Sequence, residues 1–376
     1  MKNIPPVLTS LLLVILASCS QSDDPVPASD TVQAGIYITV SSAAPDQPSR
    51  AVPDNEFGYN PGEGYENYIH ISGDDFRVYF FTSSNVLIAR LENPELVPTS
   101  STVTSKRYLL TCEVRPEELS ANFKVVMLAN WRNYPELTPG VSTIDDLVKS
   151  PQAQLSYRRH AQALLTPDER IPLFGVKEYS VESFNKYTQT VLPGELHLLR
   201  AYAKIEVYAS AYDGQFPIVR ADLIGHNTRA WAAPHGVYNE SDYVHWNYDQ
   251  DFAAITEFES VTDEALEFCR DEAGHYILYV PEYRNAGTGR PAKIRIYFED
   301  PASPEATPYF LDFKYYKADI DQNIVAGQVF DIRRNYWYRY EVIKTNADLD
   351  LTVDVLPFQE VRLDPIFGVD VPESGN

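Results

Sequence analysis

The sequence predicts an all-β protein, built as two consecutive β-sandwich domains with one short helix in the first. Three observations carry that prediction. Short runs rich in Val, Ile, Tyr and Phe recur along the 376 residues, and several alternate apolar and polar side chains. A period of two is that of a strand with one face in a core. Turn formers separate the runs, with 27 prolines, and tyrosine is unusually frequent at 26; this composition favours strands over helices. The length suits two domains of ordinary size better than one small sandwich.

Residues 1–18 come first. Met1-Lys2-Asn3 carries a positive charge, Val7 to Ala17 is mostly apolar, and the run ends in Leu16-Ala17-Ser18-Cys19. A basic start, a short hydrophobic stretch and small residues before the break describe a secretory signal. The apolar run is too short for a permanent membrane span. Leu-Ala-Ser-Cys resembles the bacterial lipobox, which would make Cys19 the lipidated N-terminus. Residues 19–33 then read as a polar tether, and the acidic start Ser20-Gln-Ser-Asp-Asp24 resembles a surface-export signal.

The first domain is placed at 34–195. Ala34 to Val40 alternates, with Ile36, Ile38 and Val40 on one face, and reads as its first strand. Ser41 to Tyr68 is irregular and rich in Pro, Gly, Asp and Asn, with Arg50 in its first half; a loop of that length inside a domain is usually functional or mobile. Further strands are expected at Asp75–Thr82, Val86–Leu91, Arg107–Val114, Phe123–Ala129 and from Ile171. Thr143-Ile-Asp-Asp-Leu-Val-Lys149 is the best short helix, with Ser142 or Thr143 as its cap and acids in its first turn.

The second domain is placed at 196–376. Its expected first strand is the run Leu196–Ala209, where Ala201, Ala203, Ile205 and Val207 face a core and Tyr202, Lys204, Glu206 and Tyr208 face solvent or a neighbour. Ile218–Gly225, His275–Tyr283, Ala292–Phe298, Tyr309–Tyr316, Gln328–Lys344 and Leu349–Leu356 follow. Many short strands with turns between them argue for sandwiches over a parallel α/β sheet. No sequence repeat relates the halves.

Several function classes recede. The charge of −22 argues against nucleic acid, because the phosphate term would be repulsive. Of three cysteines, Cys112 and Cys269 sit in or beside apolar runs in different domains and read as buried free thiols. No CxxC or Cys/His spacing suggests a metal, and no cofactor is expected. The seven histidines show no ligand spacing, and HExxH, GxSxG and Walker-type loops are absent. The chain therefore reads as a non-enzyme, although two carboxylates from distant strands, as in glycoside hydrolases, leave no local signature. One segment, Trp231 to Tyr248, gathers aromatics in a polar stretch. Trp231, Tyr238, Tyr243 and Trp246 suit a sugar-stacking platform; the alternative is a loop pinned to the core by its rings.

A set of short motifs adds to this. Ser49-Arg50-Ala51, Val125-Val-Met-Leu-Ala-Asn130, Ile171-Pro-Leu-Phe-Gly175, Leu196-x-x-Leu-Arg-Ala-x-Ala-Lys-Ile-Glu-Val207 and Arg333-Arg-Asn-Tyr-Trp-Tyr-Arg-Tyr-Glu-Val342 stand in that order. The set resembles the fimbrillin superfamily, the pilus subunits of Bacteroidetes, over nearly the whole chain. The resemblance implies transthyretin-like or Ig-like sandwiches in a stalk or tip subunit, exported as a lipoprotein to the outer membrane and cell surface. It further implies cleavage between Arg50 and Ala51, loss of the Ile36-Ile38-Val40 strand, and assembly into a fimbrium by a strand donated from another pilus subunit. A host or bacterial surface ligand belongs to the same expectation. A monomeric surface lipoprotein that binds glycans is the second reading, and an exported glycosidase the third.

Overall fold

The computed structural model describes residues 32–40, 69, 76–101, 106–131, 133–156, 171–184, 190–209, 216–235, 261–271, 273–285, 289–299, 308–316, 326–344 and 349–357. The fold is all-β. The first half holds β1 (Val32–Val40), β2 (Phe76–Thr82), β3 (Leu87–Arg90), β4 (Glu95–Ser101), β5 (Lys106–Val114), β6 (Asn122–Ala129), β7 (Gln154–Ser156), β8 (Leu173–Ser180) and β9 (Thr190–Arg200). The second holds β10 (Tyr202–Ala209), β11 (Ile218–Ile224), β12 (His226–Asn227), β13 (Arg229–Trp231), β14 (Val261–Thr262), β15 (Leu266–Glu267) and β16 (Cys269–Arg270). It continues with β17 (Tyr276–Pro281), β18 (Lys293–Phe298), β19 (Tyr309–Asp312), β20 (Tyr336–Lys344) and β21 (Leu349–Pro357).

Eight strands of the first half form one hydrogen-bonded series, β3-β2-β6-β8-β9-β1-β5-β4. Its middle joint is thin, because β8 and β9 pair only at Leu173–Arg200 and Phe174–Leu199. The series therefore divides into two four-stranded layers that share one core, with Val78, Phe80, Val125 and Met127 from one layer and Ile36, Ile38, Leu110 and Leu196 from the other. The alternation of each strand dictates this. β6 is buried on both faces: Val126 and Leu128 turn away from that core and pack with Tyr79, Phe81, Phe174 and Trp231. This second burial explains the unbroken apolar run Val125–Ala129. The helix α1 (Ile144–Val148) covers the same face with Ile144, Leu147 and Val148, and Thr143 with Asp146 forms a complete capping box at its start.

The second half is a sandwich of β16-β17-β10-β20-β21 against β15-β11-β18-β19, around a core that includes Ile205, Leu223, Ile294, Phe313 and Tyr340. β10 is central, antiparallel to β17 and parallel to β20.

Two strand assignments need correction. The run Leu196–Ala209 is not one strand: it breaks at Ala201, with its first part in β9 of the first sandwich and the rest in β10 of the second. Leu196 and Leu198 lie in the first core, whereas Ala203, Ile205 and Val207 lie in the second. Of the two settings offered for the opposite face of β10, solvent or a neighbour, the second holds, since Lys204 and Glu206 are buried. Glu206 accepts hydrogen bonds from His275 Nδ1 at 2.6 Å and Arg339 Nε at 3.0 Å. A charge buried at this depth persists only when paired in this way. β4, with Pro98 inside it, is not among the expected strands; it pairs with β5 as an edge strand, the position where proline is tolerated.

Candidate functional site: the slot of the first strand

β1 lies inside its sheet. It pairs antiparallel with β5 from Val32–Val114 to Thr39–Arg107, and parallel with β9 from Ala34–Thr190 to Val40–Leu198. Both edges of its backbone are therefore used, and its core face is fully apolar: Val32, Ala34, Ile36 and Ile38 are all buried. The expected pair Ile36 and Ile38 is in place. Val40 pairs through its backbone with Leu198, and its side chain lies outside the described residues. The strand starts two residues earlier than expected, at Val32. The signal was present in the sequence, because the alternation already runs Val32-x-Ala34-x-Ile36.

Three details shape the slot. Gly35 sits where β1 and β9 fall out of register, and a Cβ there would meet Leu109 Cδ1 and Val191 Cγ2 at 3.4 Å each. Cys112 on β5 faces the same core and directs Sγ to the Ala34 carbonyl at 3.9 Å. Burial pushes its thiol up to about 12, which keeps it neutral and inert. Ile69, at the far end of the stretch that follows β1, is buried and donates its backbone N–H to Tyr108 Oη at 3.0 Å. That stretch therefore returns to β5, one wall of the slot.

The motifs beside the slot have physical reasons. Gly175 of β8 lies where β9 crosses it: a Cβ would stand 2.3 Å from the His197 carbonyl oxygen and 2.6 Å from Leu198 Cδ2, so only glycine allows the approach. Asn130 ends β6 in the left-handed region and donates Nδ2 to the Ile171 carbonyl at 2.9 Å. At the junction of the halves, buried Arg200 donates Nη1 to Asn335 Oδ1 at 2.8 Å, and Asn335, also left-handed, donates its N–H to the Tyr202 carbonyl. Arg334 forks onto Glu282 at 3.0 and 2.7 Å and donates to the Trp231 carbonyl at 3.0 Å. Apart from Ser49–Ala51, the motifs meet along the β8–β9 joint and the domain junction.

Trp231 is not an exposed ligand platform. It is buried, belongs to β13 paired with β7, and packs with its ring 4.5 Å from that of His235. It pins the second half onto the first. Tyr238, Tyr243 and Trp246, like Cys19, Arg50 and Ala51, lie outside the described residues, as does the C-terminal stretch after Pro357. Cys112 and Cys269 are both buried and unbridged. Among the described residues no cluster of three metal-ligating side chains occurs.

No protein-family model matches the chain, and no curated protein does. Solved structures do. A C-terminally truncated form of the tip fimbrial protein Mfa3 from Porphyromonas gingivalis superposes with a TM-score of 0.51 at 12% identity, over 87% of this chain and 99% of that one. A fimbrial assembly protein from Parabacteroides distasonis gives 0.45 at 12% identity, over 87% and 99%. This chain shares its two-sandwich fold with a fimbrial tip protein, in agreement with the fimbrillin resemblance of its motifs.

Proposed function

We propose that the chain is a stalk or tip subunit of a fimbrillin-type pilus at the cell surface. It would be exported as a lipoprotein through Cys19, matured by cleavage after Arg50, and joined to its neighbours by a donated β-strand. The observation that carries this reading is the position of β1. The strand nearest the N-terminus is an interior strand with four buried alternating side chains and two paired edges, and the polar stretch 41–68 with Arg50 follows it directly. Its departure would leave a slot with two unpaired walls, β5 and β9. Main-chain bonds to both would hold an incoming strand, and the alternate pockets would select it. The shared fold with a fimbrial tip protein supports the same reading. The buried setting of Trp231 removes one anchor of the glycan-platform alternative.

N-terminal sequencing of material sheared from cells tests the proposal. The expected start is Ala51, and a lipidated Cys19 in assembled fibres would overturn it. Cys19→Ser in the precursor should abolish palmitate labelling and membrane partitioning.

A further inference from the structure

One face of the sheet β15-β11-β18-β19 packs into the second core through Ala221, Leu223, Ile294, Ile296 and Leu311. The alternate residues form the other face, and it is open: the Arg220 side chain is 47% exposed and Phe310 is 52% exposed. At its centre two guanidinium groups converge on one carboxylate. Asp222, fully buried, accepts Arg220 Nε and Nη2 at 3.0 and 2.7 Å and Arg295 Nη2 at 3.0 Å. Arg295 Nε has no hydrogen-bond partner. A bulge between Ile218 and Arg220 interrupts the β11–β18 register, a feature that re-aims a side chain, and Arg220 lies over the Tyr297 ring, 5.0 Å from its centroid. Phe310 of β19 stands directly opposite Arg295. The Arg220–Asp222–Arg295 group thus carries one net positive charge on a chain of −22. Beside it Lys293 and Lys314 share Asp312 at 3.3 and 3.0 Å. Glu267 opposes Asp222 on the side away from Arg295, and Glu299 lies just past the end of β18.

We propose that this face binds a carboxylated sugar, a uronic or sialic acid at the end of a surface glycan. The carboxylate would lie against the two guanidinium groups, and the apolar face of the sugar ring against Phe310. Charge complementarity selects the carboxylate: two guanidinium groups held by a single Asp leave one positive charge uncompensated, and a planar guanidinium is matched to a carboxylate. An under-bonded guanidinium also gains more from a new acceptor than a fully paired one. Phe310 selects the ring. Directly opposed residues of neighbouring strands stand about 5 Å apart, the width of one sugar ring, so both contacts fall to the same residue of the glycan. An acidic peptide brings a carboxylate without a rigid apolar ring beside it. Repulsion from the rest of the acidic chain is screened beyond about 8 Å at physiological salt. The face is shallow, and on a fibre its repetition would add avidity; that last step alone rests on the pilus reading.

Saturation-transfer NMR on the intact chain tests this, with sialyllactose and galacturonic acid beside their neutral counterparts lactose and galactose. The acidic sugars should bind roughly tenfold more tightly than the neutral ones. Arg295→Gln should abolish that preference, and Arg295→Lys, which keeps the charge and loses the planar fork, should weaken it. Phe310→Ser changes an exposed side chain and leaves the fold in place, so its loss of binding reads the site even where an Arg295 variant unfolds. No binding of either acidic sugar up to about 10 mM, equal binding of acidic and neutral sugars, or full binding by Phe310→Ser overturns the proposal. A hexaglutamate peptide that binds as tightly as the sugars, and is indifferent to Phe310→Ser, assigns the face to acidic peptides and overturns the sugar. None of these measurements needs cleavage or polymerisation, so their failure is distinct from failure of the strand-exchange reading.

Discussion

Loss of β1 should turn Cys112 from an inert thiol into a reactive one. The perturbation is cleavage after Arg50 by an arginine-specific protease. It leaves Val32, Ile36 and Ile38 held only by packing and ladder bonds. Burial of these three side chains is worth about 1.5–3 kcal/mol each, or roughly 4–9 kcal/mol together. A domain has only about 5–15 kcal/mol of net stability, so the fragment stays while the slot is intact and its departure leaves the first sandwich marginal. The reporter is built in. Cys112 opposes Ala34, and burial holds its thiol at about 12. At pH 8 the thiolate fraction is then near 10⁻⁴, against roughly a fifth for an exposed cysteine, a gain of about three orders of magnitude on exposure. Maleimide labelling with peptide mapping reads it. Cys112 should stay unlabelled in the intact chain, label once the fragment has left, and regain protection when a Val32–Val40 peptide is added. Cys269, buried and unbridged in the second sandwich, is the internal control. Protection of Cys112 that survives loss of the fragment would refute the slot.

Other perturbations probe the frame around the slot. Gly175→Val places a side chain against the β9 backbone and should cost at least about 2 kcal/mol in urea unfolding, while the same change at Gly289, which faces open space, costs less. Asn335→Ala removes the acceptor of Arg200 Nη1 and strains a left-handed backbone, for about 2–4 kcal/mol in all; Asn335→Gly should recover the backbone part. His235 gives a pH dependence. Burial, reinforced by the Arg334 guanidinium, pushes its imidazole down to about 4, so the unfolded chain binds the extra proton between about pH 6.5 and 4. Stability should therefore fall as pH drops through that window, by at most about 1.4 kcal/mol per unit and on the order of 3 kcal/mol overall. His235→Asn should flatten that component in denaturation midpoints measured at pH 7 and pH 5.

Strands were legible where alternation or a short apolar run, both of which need only local sequence, marked them. β2, β5, β6, β11, β17 and β18 fall close to where the pattern puts them, and the capping box of α1 is written in Thr143 and Asp146. What the sequence hid depends on contacts between distant residues. Ala201 separates two strands that continue one alternation, and no local rule marks the layer change; only the Ala201 N–H bond to the Pro172 carbonyl and the Arg200–Asn335 pair reveal the corner. Alternation alone leaves open whether the Lys204–Glu206 face meets solvent or a neighbour, and for Glu206 the answer comes from His275, just before β17, and Arg339 of β20. For the candidate site, Ile36 and Ile38 could be named from alternation. Cys112 and Gly175 could not, because their roles come from neighbours far away in the chain. Of the two readings offered for Trp231, the ring pinned to the core holds, although a polar setting in sequence could not name β7, with which its strand pairs.

The same corner bears on how a subunit could carry load. β9 forms one wall of the slot and, after the single residue Ala201, becomes β10, the central strand of the second sandwich. A strand lodged in place of β1 would bond to β9 along its length, and β10 bonds in turn to β17 and β20 over six residues each. Tension along these strands would load many ladder bonds together in shear, whereas a pull across an edge would break them one at a time. The weak point of such a path is the corner. Several buried side-chain contacts meet there: Arg200 with Asn335, and Arg334 with Glu282 and the Trp231 carbonyl. These contacts add little net stability, although removing one partner of the Arg334–Glu282 ion pair costs about 3–5 kcal/mol. They therefore fix one geometry, and a single fixed angle between the sandwiches is what a subunit repeated along a fibre requires.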